Sequence, residues 1–320
     1  MTAPVLPKTA GPSAGPPQAG PRPLGGPADV PGGRGAPGPS AGPPQAGPRP
    51  LGGPADVPGG RGAPSIQRAR ITAVTSGKGG VGKTFMSANL AAALAQRGER
   101  VLVLDADLGL ANLDVMLNLF PKVTLHDVLT GKAGLDDAIL AAPGNFSVLL
   151  AGSGLVEYSR LTPELRDQLV AVIETLAPRF DRIILDTGSG ISDVVLFAVS
   201  LADEVLIVTT PEPTALTDAY ATIKVLASQQ QRRHILLVVN QVTRMGDGRV
   251  IRGQLQQVID RFVTPHLHDP DTPLKLDLLG DVPTDAVVRE AVQRRQLLME
   301  ILPGSAAAKA VCSIADKLKA

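Results

Sequence analysis

Seven short apolar runs recur along the chain from residue 71 onward: ITAVT (71–75), VLVLD (101–105), FSVLLAG (146–152), RIILD (182–186), EVLIVTT (204–210), HILLVVN (234–240) and LKLDLLG (274–280). A run with no polar alternation has no face to offer water. It reads as a strand covered on both sides, the environment of a parallel sheet. Stretches of helical period lie between most of the runs, at 84–97, 163–176, 191–201, 215–230, 251–262 and 285–299. This alternation predicts an α/β fold: a doubly wound, mostly parallel sheet with helices on both faces and ligands at the carboxyl ends of the strands.

The first 64 residues obey other rules. Gly and Pro fill 34 of those 64 positions, and residues 11–37 recur unchanged as 38–64. With almost nothing apolar to bury, such a segment cannot offset the entropy of ordering its backbone. A disordered, partly polyproline-extended tail is therefore expected over 1–64, ahead of one domain over 65–320. A passive tail is the plain reading, and a spacer or proline-rich ligand is the other.

The tail holds five of the 31 basic and two of the 30 acidic residues, leaving 26 against 28 in the domain, a net of −2. That balance speaks against holding DNA by bulk electrostatics. The single cysteine, Cys312, excludes a disulfide framework and a cysteine-ligated metal site within one chain. No apolar run approaches the ~18–20 residues of a membrane span, and the N-terminus lacks a secretion signal's apolar core, so a cytoplasmic location is expected.

The sharpest chemical signal is TSGKGGVGKT (75–84), which contains GxxxxGK[ST] from Gly77 to Thr84 between a buried strand and an amphipathic helix. Glycines let backbone N–H groups converge on phosphate oxygens, and the helix start adds its positive dipole end. Gly77, Gly79, Gly80, Val81, Gly82, Lys83, Thr84 and Phe85 are the candidate nucleotide contacts. Lys83 should bridge the β- and γ-phosphates of ATP, and Thr84 should ligate Mg²⁺. Two acidic clusters follow, LDADLGLANLD (104–114) with Asp105 and Asp107, and IILDTGSG (183–190) with Asp186. Asp186 ends a hydrophobic run and suits the Walker B role of holding Mg²⁺ through water, with Gly188 and Gly190 letting the loop follow the γ-phosphate. Alone, the first cluster would read as ordinary loop aspartates.

Lys78 adds a charge that a standard P-loop does not require. KGGVGKT (78–84) resembles the signature of the deviant Walker A ATPases, which include ParA, MinD and the nitrogenase iron protein. The resemblance implies an ATP-dependent homodimer in which Lys78 reaches the partner's phosphates and neutralises transition-state charge in trans, as an arginine finger does. It further implies that Asp107 orients the attacking water and that Asp105 lies near Mg²⁺ or Lys83. Asn240 would pair with the adenine, and the turn GDVP (280–283), ending in Pro283, would close over it. Both also suit plain strand-end punctuation.

The iron-protein branch needs bridging cysteines and the anion pumps carry tandem domains, so the spatial regulators remain. NLDVMLNL (112–119), TLHDVL (124–129), DTGSGI (186–191) and TTPEPTALTDAY (209–220) look like the flagellar-number regulators called FlhG or FleN. The resemblance runs from 71 to 318. It implies an ATPase switch for flagellar number or placement, with an FlhF-type GTPase or a flagellar transcription regulator as partner. Gly188 stands where partition proteins have a proline, which favours this branch. Two departures stand out: no DQAxxLR-like N-terminal helix is present, which puts GTPase stimulation in doubt, and Ser189 replaces the more usual alanine. The alternative is a ParA- or MinD-like ATPase for DNA segregation or division-site placement, or an ATP-dependent binding module for a transcription partner.

At the C-terminus, Val311, Ile314, Ala315 and Leu318 share one helical face flanked by Lys309, Lys317 and Lys319. One reading is a peripheral contact with the cytoplasmic face of the inner membrane. The preferred one is a terminal helix packed on its own domain, because the face is short and has no aromatics. HLHD (266–269) reads as a solvated loop and Arg232-Arg233-His234 as a charged connection.

Overall fold

The computed structural model describes residues 68–108, 112–152 and 161–319. All belong to the compact unit Gly62–Ala320. The tail expected over 1–64 lies outside the described residues.

In chain order the elements are β1 (Arg70–Ser76), α1 (Lys83–Ala95), β2 (Val101–Ala106), α2 (Leu113–Leu117), α3 (Leu125–Leu129), α4 (Leu135–Ala138), β3 (Ile139–Ala142), β4 (Phe146–Leu149), α5 (Pro163–Leu176), β5 (Arg182–Ser189), α6 (Asp193–Ser200) and β6 (Glu204–Thr209). Then follow α7 (Pro213–Gln229), β7 (His234–Val242), α8 (Asp247–Phe262), β8 (Lys275–Pro283), α9 (Ala286–Gln293), α10 (Leu298–Ile301) and α11 (Ala306–Lys319). The strands form one eight-stranded sheet ordered β3-β4-β2-β5-β1-β6-β7-β8. Every neighbouring pair is parallel except the edge pair β3–β4.

The unbroken apolar runs are explained by two cores, one on each face. Along β5, Ile183 and Leu185 enter one core with α5 and α6, while Ile184 enters the other with α1 and α11. The same alternation holds in β6, where Val205 and Ile207 face one side and Leu206 and Val208 the other. Strand side chains point to opposite faces at period two, so a strand covered on both sides must be apolar at every position.

Three expectations need correction. The helix expected over 285–299 is two helices, because Arg295 takes a left-handed conformation at φ 55° between them. The turn lets Leu297 and Leu298 enter the core shared with α1, where Asn89 Oδ1 accepts the Met299 N–H at 3.2 Å. The strand expected through residue 152 stops at Leu149, since the Leu150 carbonyl instead accepts the N–H of Leu125 at the start of α3. Helix α8 begins at Asp247, a turn earlier than expected, because Asp281 on β8 accepts the N–H groups of Gly246 and Gly248.

The C-terminal helix packs on its own domain. Val311, Ile314, Ala315 and Leu318 are all buried against α1 and β8. The face that a membrane contact would need is therefore used inside the protein. No helix among the described residues is long and apolar enough to cross a membrane.

Candidate nucleotide site

Strand parity places the acidic residues. Leu104 and Leu185 face the core away from α1, so the next residues, Asp105 on β2 and Asp186 on β5, face the α1 side. Register makes Asp105 and Asp186 direct neighbours across the strand pair, and both are buried. The Ser87 hydroxyl donates to Asp186 Oδ1 at 2.8 Å, and the Thr84 hydroxyl donates to the same carboxylate. Burial pushes the Asp186 carboxyl up to about 6, and the two hydroxyls and Lys83 only partly oppose it. Burial, then the charge of Asp186, holds Asp105 well above the usual range. Its Oδ1 accepts the Asp107 N–H at 3.1 Å, while its buried Oδ2 has no hydrogen-bond partner among the described residues. Burial lowers the Lys83 ammonium, and Asp186 and Asp107 counter that. Crowded carboxylates with an unmet oxygen describe a place where a cation completes the charge balance.

The loop above them requires its glycines. Gly80 and Gly82 adopt φ of 78° and 96°, conformations that side chains resist. A Cβ on Gly82 would lie 2.4 Å from Asn240 Nδ2, and one on Gly77 would lie 2.2 Å from the Asp218 carbonyl oxygen. Ser76 Oγ donates to the Lys78 carbonyl at 2.7 Å, fastening the loop's start. The loop then delivers the first N–H groups of α1, which have no partner within the helix and no acidic residue in the first turn.

A cleft of about 620 Å³ opens beside this loop, lined among others by Gly80, Gly82, Phe85, Asn240, Pro283 and Arg289. That volume suits a small-molecule ligand. A larger cleft of about 750 Å³, around Arg70, Glu204, Arg232 and His234, lies at the amino-terminal rim of the sheet. It is remote from the P-loop and carries none of this chemistry, so size alone does not select the site.

Gly77, Gly79, Gly80, Val81, Gly82, Lys83, Thr84, Asp105, Asp107 and Asp186 thus gather at one end of the sheet, and Phe85, Asn240 and Pro283 line the adjoining cleft. Asp107 sits against Gly188, where a Cβ would meet its carboxyl carbon at 3.4 Å. Asn240 has a task beyond either reading offered for it. Its Nδ2 donates to the Val81 carbonyl at 2.8 Å and its Oδ1 accepts the Gln241 N–H at 2.9 Å, tying β7 to the P-loop. Lys78 does not join the others. Its Nζ donates to Glu212 Oε2 at 2.7 Å and to Thr214 Oγ1 at 2.8 Å, at the N-cap and first turn of α7.

Sequence reasoning missed Ser87, Glu212 and Thr214. Ser87 had a signal, a lone hydroxyl one turn beyond Thr84 in an apolar helix. Glu212 had none, since no spacing links it to a lysine 134 residues away. Elsewhere, His266 and His268 are exposed, and Arg232 donates to the carbonyls of Val199 and Ala202 at the carboxyl end of α6, which accounts for it structurally.

The residues present fit Mg²⁺ bound together with a nucleotide. Among the described residues no cluster of three or more His, Cys, Asp or Glu could hold a metal alone. Magnesium in phosphate sites takes most of its ligands from water and phosphate, with one or two from protein. The Thr84 hydroxyl would be such a donor, the Asp186 carboxylate would hold the ion through water, and Asp105 Oδ2 is the unmet acceptor beside them.

Fold and site together define a P-loop nucleotide-binding protein. A family model described as AAA domain matches residues 69–238, and one described as NUBPL iron-transfer P-loop NTPase matches 162–319. The chain belongs to the ParA/MinD-type P-loop ATPases. It is 40% identical over 254 residues to the antiactivator FleN of Pseudomonas aeruginosa, covering 79% of this chain and 88% of FleN. It is 34% identical to the flagellum site-determining protein YlxH of Helicobacter pylori, covering 78% and 81%. The solved structure of the septum site-determining protein MinD of Pyrococcus horikoshii, complexed with Mg-ADP, superposes with a TM-score of 0.62 at 29% identity, covering 78% of this chain and 96% of that one. The similarity to FleN and YlxH bears out the resemblance to the flagellar-number regulators.

Proposed function

We propose that this protein is an ATP-binding and hydrolysing dimerisation switch that regulates flagellar number or placement at the cytoplasmic membrane. The observation that supports it most is the paired Asp105 and Asp186 beneath the P-loop, with Lys83 the lysine beside them. In this reading Lys83 and the N–H groups of 79–84 hold the phosphates of the chain's own ATP. Thr84 and Asp186 hold Mg²⁺, which when bound offsets charge on the β- and γ-phosphates. Asp107, set against Gly188, orients the attacking water, and Asp105 steadies the Asp107 backbone. Phe85, Asn240 (through its second amide N–H) and Pro283 contact the base.

Lys78 serves the partner's nucleotide. It points to the rim of the site, held by exposed groups that release it at little cost. Hydrolysis then depends on the dimer. With α11 docked, contact with the membrane falls to a partner protein, for which an FlhF-type GTPase or a flagellar transcription regulator are the candidates. The name antiactivator, carried by FleN, favours the latter. The 1–64 segment is a passive tail in this reading, so its deletion leaves ATP turnover unchanged. A domain net charge of −2 disfavours the DNA-segregation alternative.

Lys83→Ala should abolish nucleotide binding, a loss of about a hundredfold or more, whereas Lys78→Ala should bind but not hydrolyse. Asp107→Ala should form a stable dimer with ATP on size-exclusion chromatography. Mixing the Lys78→Ala and Asp107→Ala chains creates one site with its own Asp107 and an incoming Lys78, so partial activity should return. No recovery would place Lys78 in cis. In the host, a deletion strain should show altered flagellar number or placement by electron microscopy. Normal flagella with frequent anucleate cells would favour segregation.

A further inference from the structure

Eight large apolar side chains are exposed among the described residues, and four of them, Met245, Val250, Val258 and Phe262, fall on α8 and the turn before it. The opposite side of α8 needs no explanation, since Ile251, Leu255 and Ile259 pack into the core. The outward side carries two adjacent rows at four-residue spacing. One is Val250, Gln254, Val258, Phe262; the other is Arg249, Gly253, Gln257, Arg261. All eight residues are exposed. Rows at this spacing are the ridges that helices interlock when they pack. The apolar row spans about 18 Å, a little over three turns. Gly253, in the row beside it, has open space where a side chain would be, which admits a close neighbour.

Two arginines on this face are met by no carboxylate. Arg249 and Arg261 form no ion pair among the described residues, and Arg261 lies over its neighbour Phe262, 5.1 Å from the ring centroid. The helix's own carboxylates keep their charge but are turned to neutral donors and not to these arginines: Asp247 accepts the Arg244 N–H and Asp260 accepts from Gln256. The helix is also held rigidly, by Asp281 at its first turn and by Arg252, which donates to the Leu276 carbonyl.

We propose that the outer face of α8 docks an acidic amphipathic helix of a partner protein, whose apolar row meets Val250, Val258 and Phe262 and whose carboxylates meet Arg249 and Arg261. A single helix matches the length and width of the two rows, and carboxylates answer the two unpaired guanidiniums. This surface is separate from the nucleotide contacts, so the proposal stands whether or not hydrolysis proceeds as described above.

The test uses the full chain and a fluorescent designed peptide of about 18 residues, with leucines and glutamates in adjacent four-residue rows. A scrambled peptide of the same composition and a version with lysine for glutamate serve as controls. In an anisotropy titration the acidic peptide should bind at least about tenfold more tightly than either control. Val258→Ser/Phe262→Ser and, separately, Arg249→Glu/Arg261→Glu should each weaken it about tenfold or more. The second variant should gain affinity for the lysine peptide, a swap that generic hydrophobic binding would not give. Unchanged thermal melts and ATP turnover would show that the variants are folded. Equal binding of acidic and scrambled peptides overturns the proposal. So does sedimentation with phosphatidylglycerol vesicles that is lost in the Val258→Ser/Phe262→Ser variant, which would give the face to a lipid surface. So too would a self-association without nucleotide that the same variant abolishes.

Discussion

Strand β5 carries one buried charge at its amino end, Arg182, and another in its carboxyl half, Asp186, and the two ends are built differently. At the amino end, Arg182 is 4% exposed and fully met. It pairs with Glu99 at 3.1 Å and Glu204 at 3.3 Å, and donates to the Thr72 hydroxyl and to the Leu318 carbonyl at the end of α11. At the carboxyl end, Asp186 lies beside a second buried carboxylate, with two hydroxyls and one lysine to oppose them. The first end meets its own charges and holds α1, β1, β6 and α11 together. The second is left short of positive charge and is completed from outside. A buried ion that the chain itself satisfies is architecture, and one it leaves short is a binding site.

The largest effect should come from breaking the satisfied end. Arg182→Met leaves Glu99 without its cation and Glu204 with Arg70 alone, and unpairing a buried ion costs about 3–5 kcal/mol. For a domain of this size that is roughly 10 °C in Tm. Nucleotide affinity per folded molecule should stay within about twofold. Urea unfolding followed by fluorescent-nucleotide titration checks both. A loss below about 1 kcal/mol would mean that the network is ornamental.

The unsatisfied end should respond in the opposite direction. Because the folded Asp186 carboxyl titrates at about 6, above its ordinary 3.8, the native state keeps a proton that the unfolded chain has already released between those values. Stability therefore falls as pH rises from about 4 to about 6 and stays lowered above that. Asp186→Asn cannot ionise and escapes this. Without nucleotide and with a chelator present, it should match or trail the parent near pH 4 and exceed it by about 1–3 kcal/mol at pH 7.5. Mg·ATP should raise the parent's melting temperature far more than the variant's. A variant less stable than the parent at both pH values would show that Asp186 is structural.

Much of this contrast was legible beforehand. A glycine loop between a buried strand and a helix, and an aspartate ending an apolar run, each state their chemistry within about ten residues. The doubly wound sheet was legible for the same reason, since covering both faces forces every position of a strand to be apolar. What escaped depended on contacts distant in sequence. The left-handed Arg295 that splits α9 from α10 looks like any other residue of a polar helical stretch. The early start of α8 depends on Asp281, which arrives 35 residues after Gly246. The short edge strand β3, ILAA, has too few residues to show a period. Asn240 was picked out for the base, yet its bond to Val81 is visible only once β7 lies beside the loop.

Lys78 tests the comparison at its weakest point, because it belongs to neither end. Its ammonium meets one carboxylate and one hydroxyl, but its side chain is 36% exposed and that of Glu212 is 62% exposed. An ion pair so open to water contributes about 0–1 kcal/mol, since solvent screens it and two long side chains lose freedom to form it. Lys78→Ala should therefore shift the unfolding free energy of the nucleotide-free protein by less than about 0.5 kcal/mol, and raising the salt to about 1 M should erase even that. The same substitution is expected to remove most ATP hydrolysis, and that pairing gives the measurement its force. A charge can matter greatly to the reaction and negligibly to the resting fold only if its important partner is not in the resting chain. Should the variant lose more than about 1.5 kcal/mol in the absence of nucleotide, Lys78 would be an internal brace like Arg182, and its loss of activity would need no second copy to explain it.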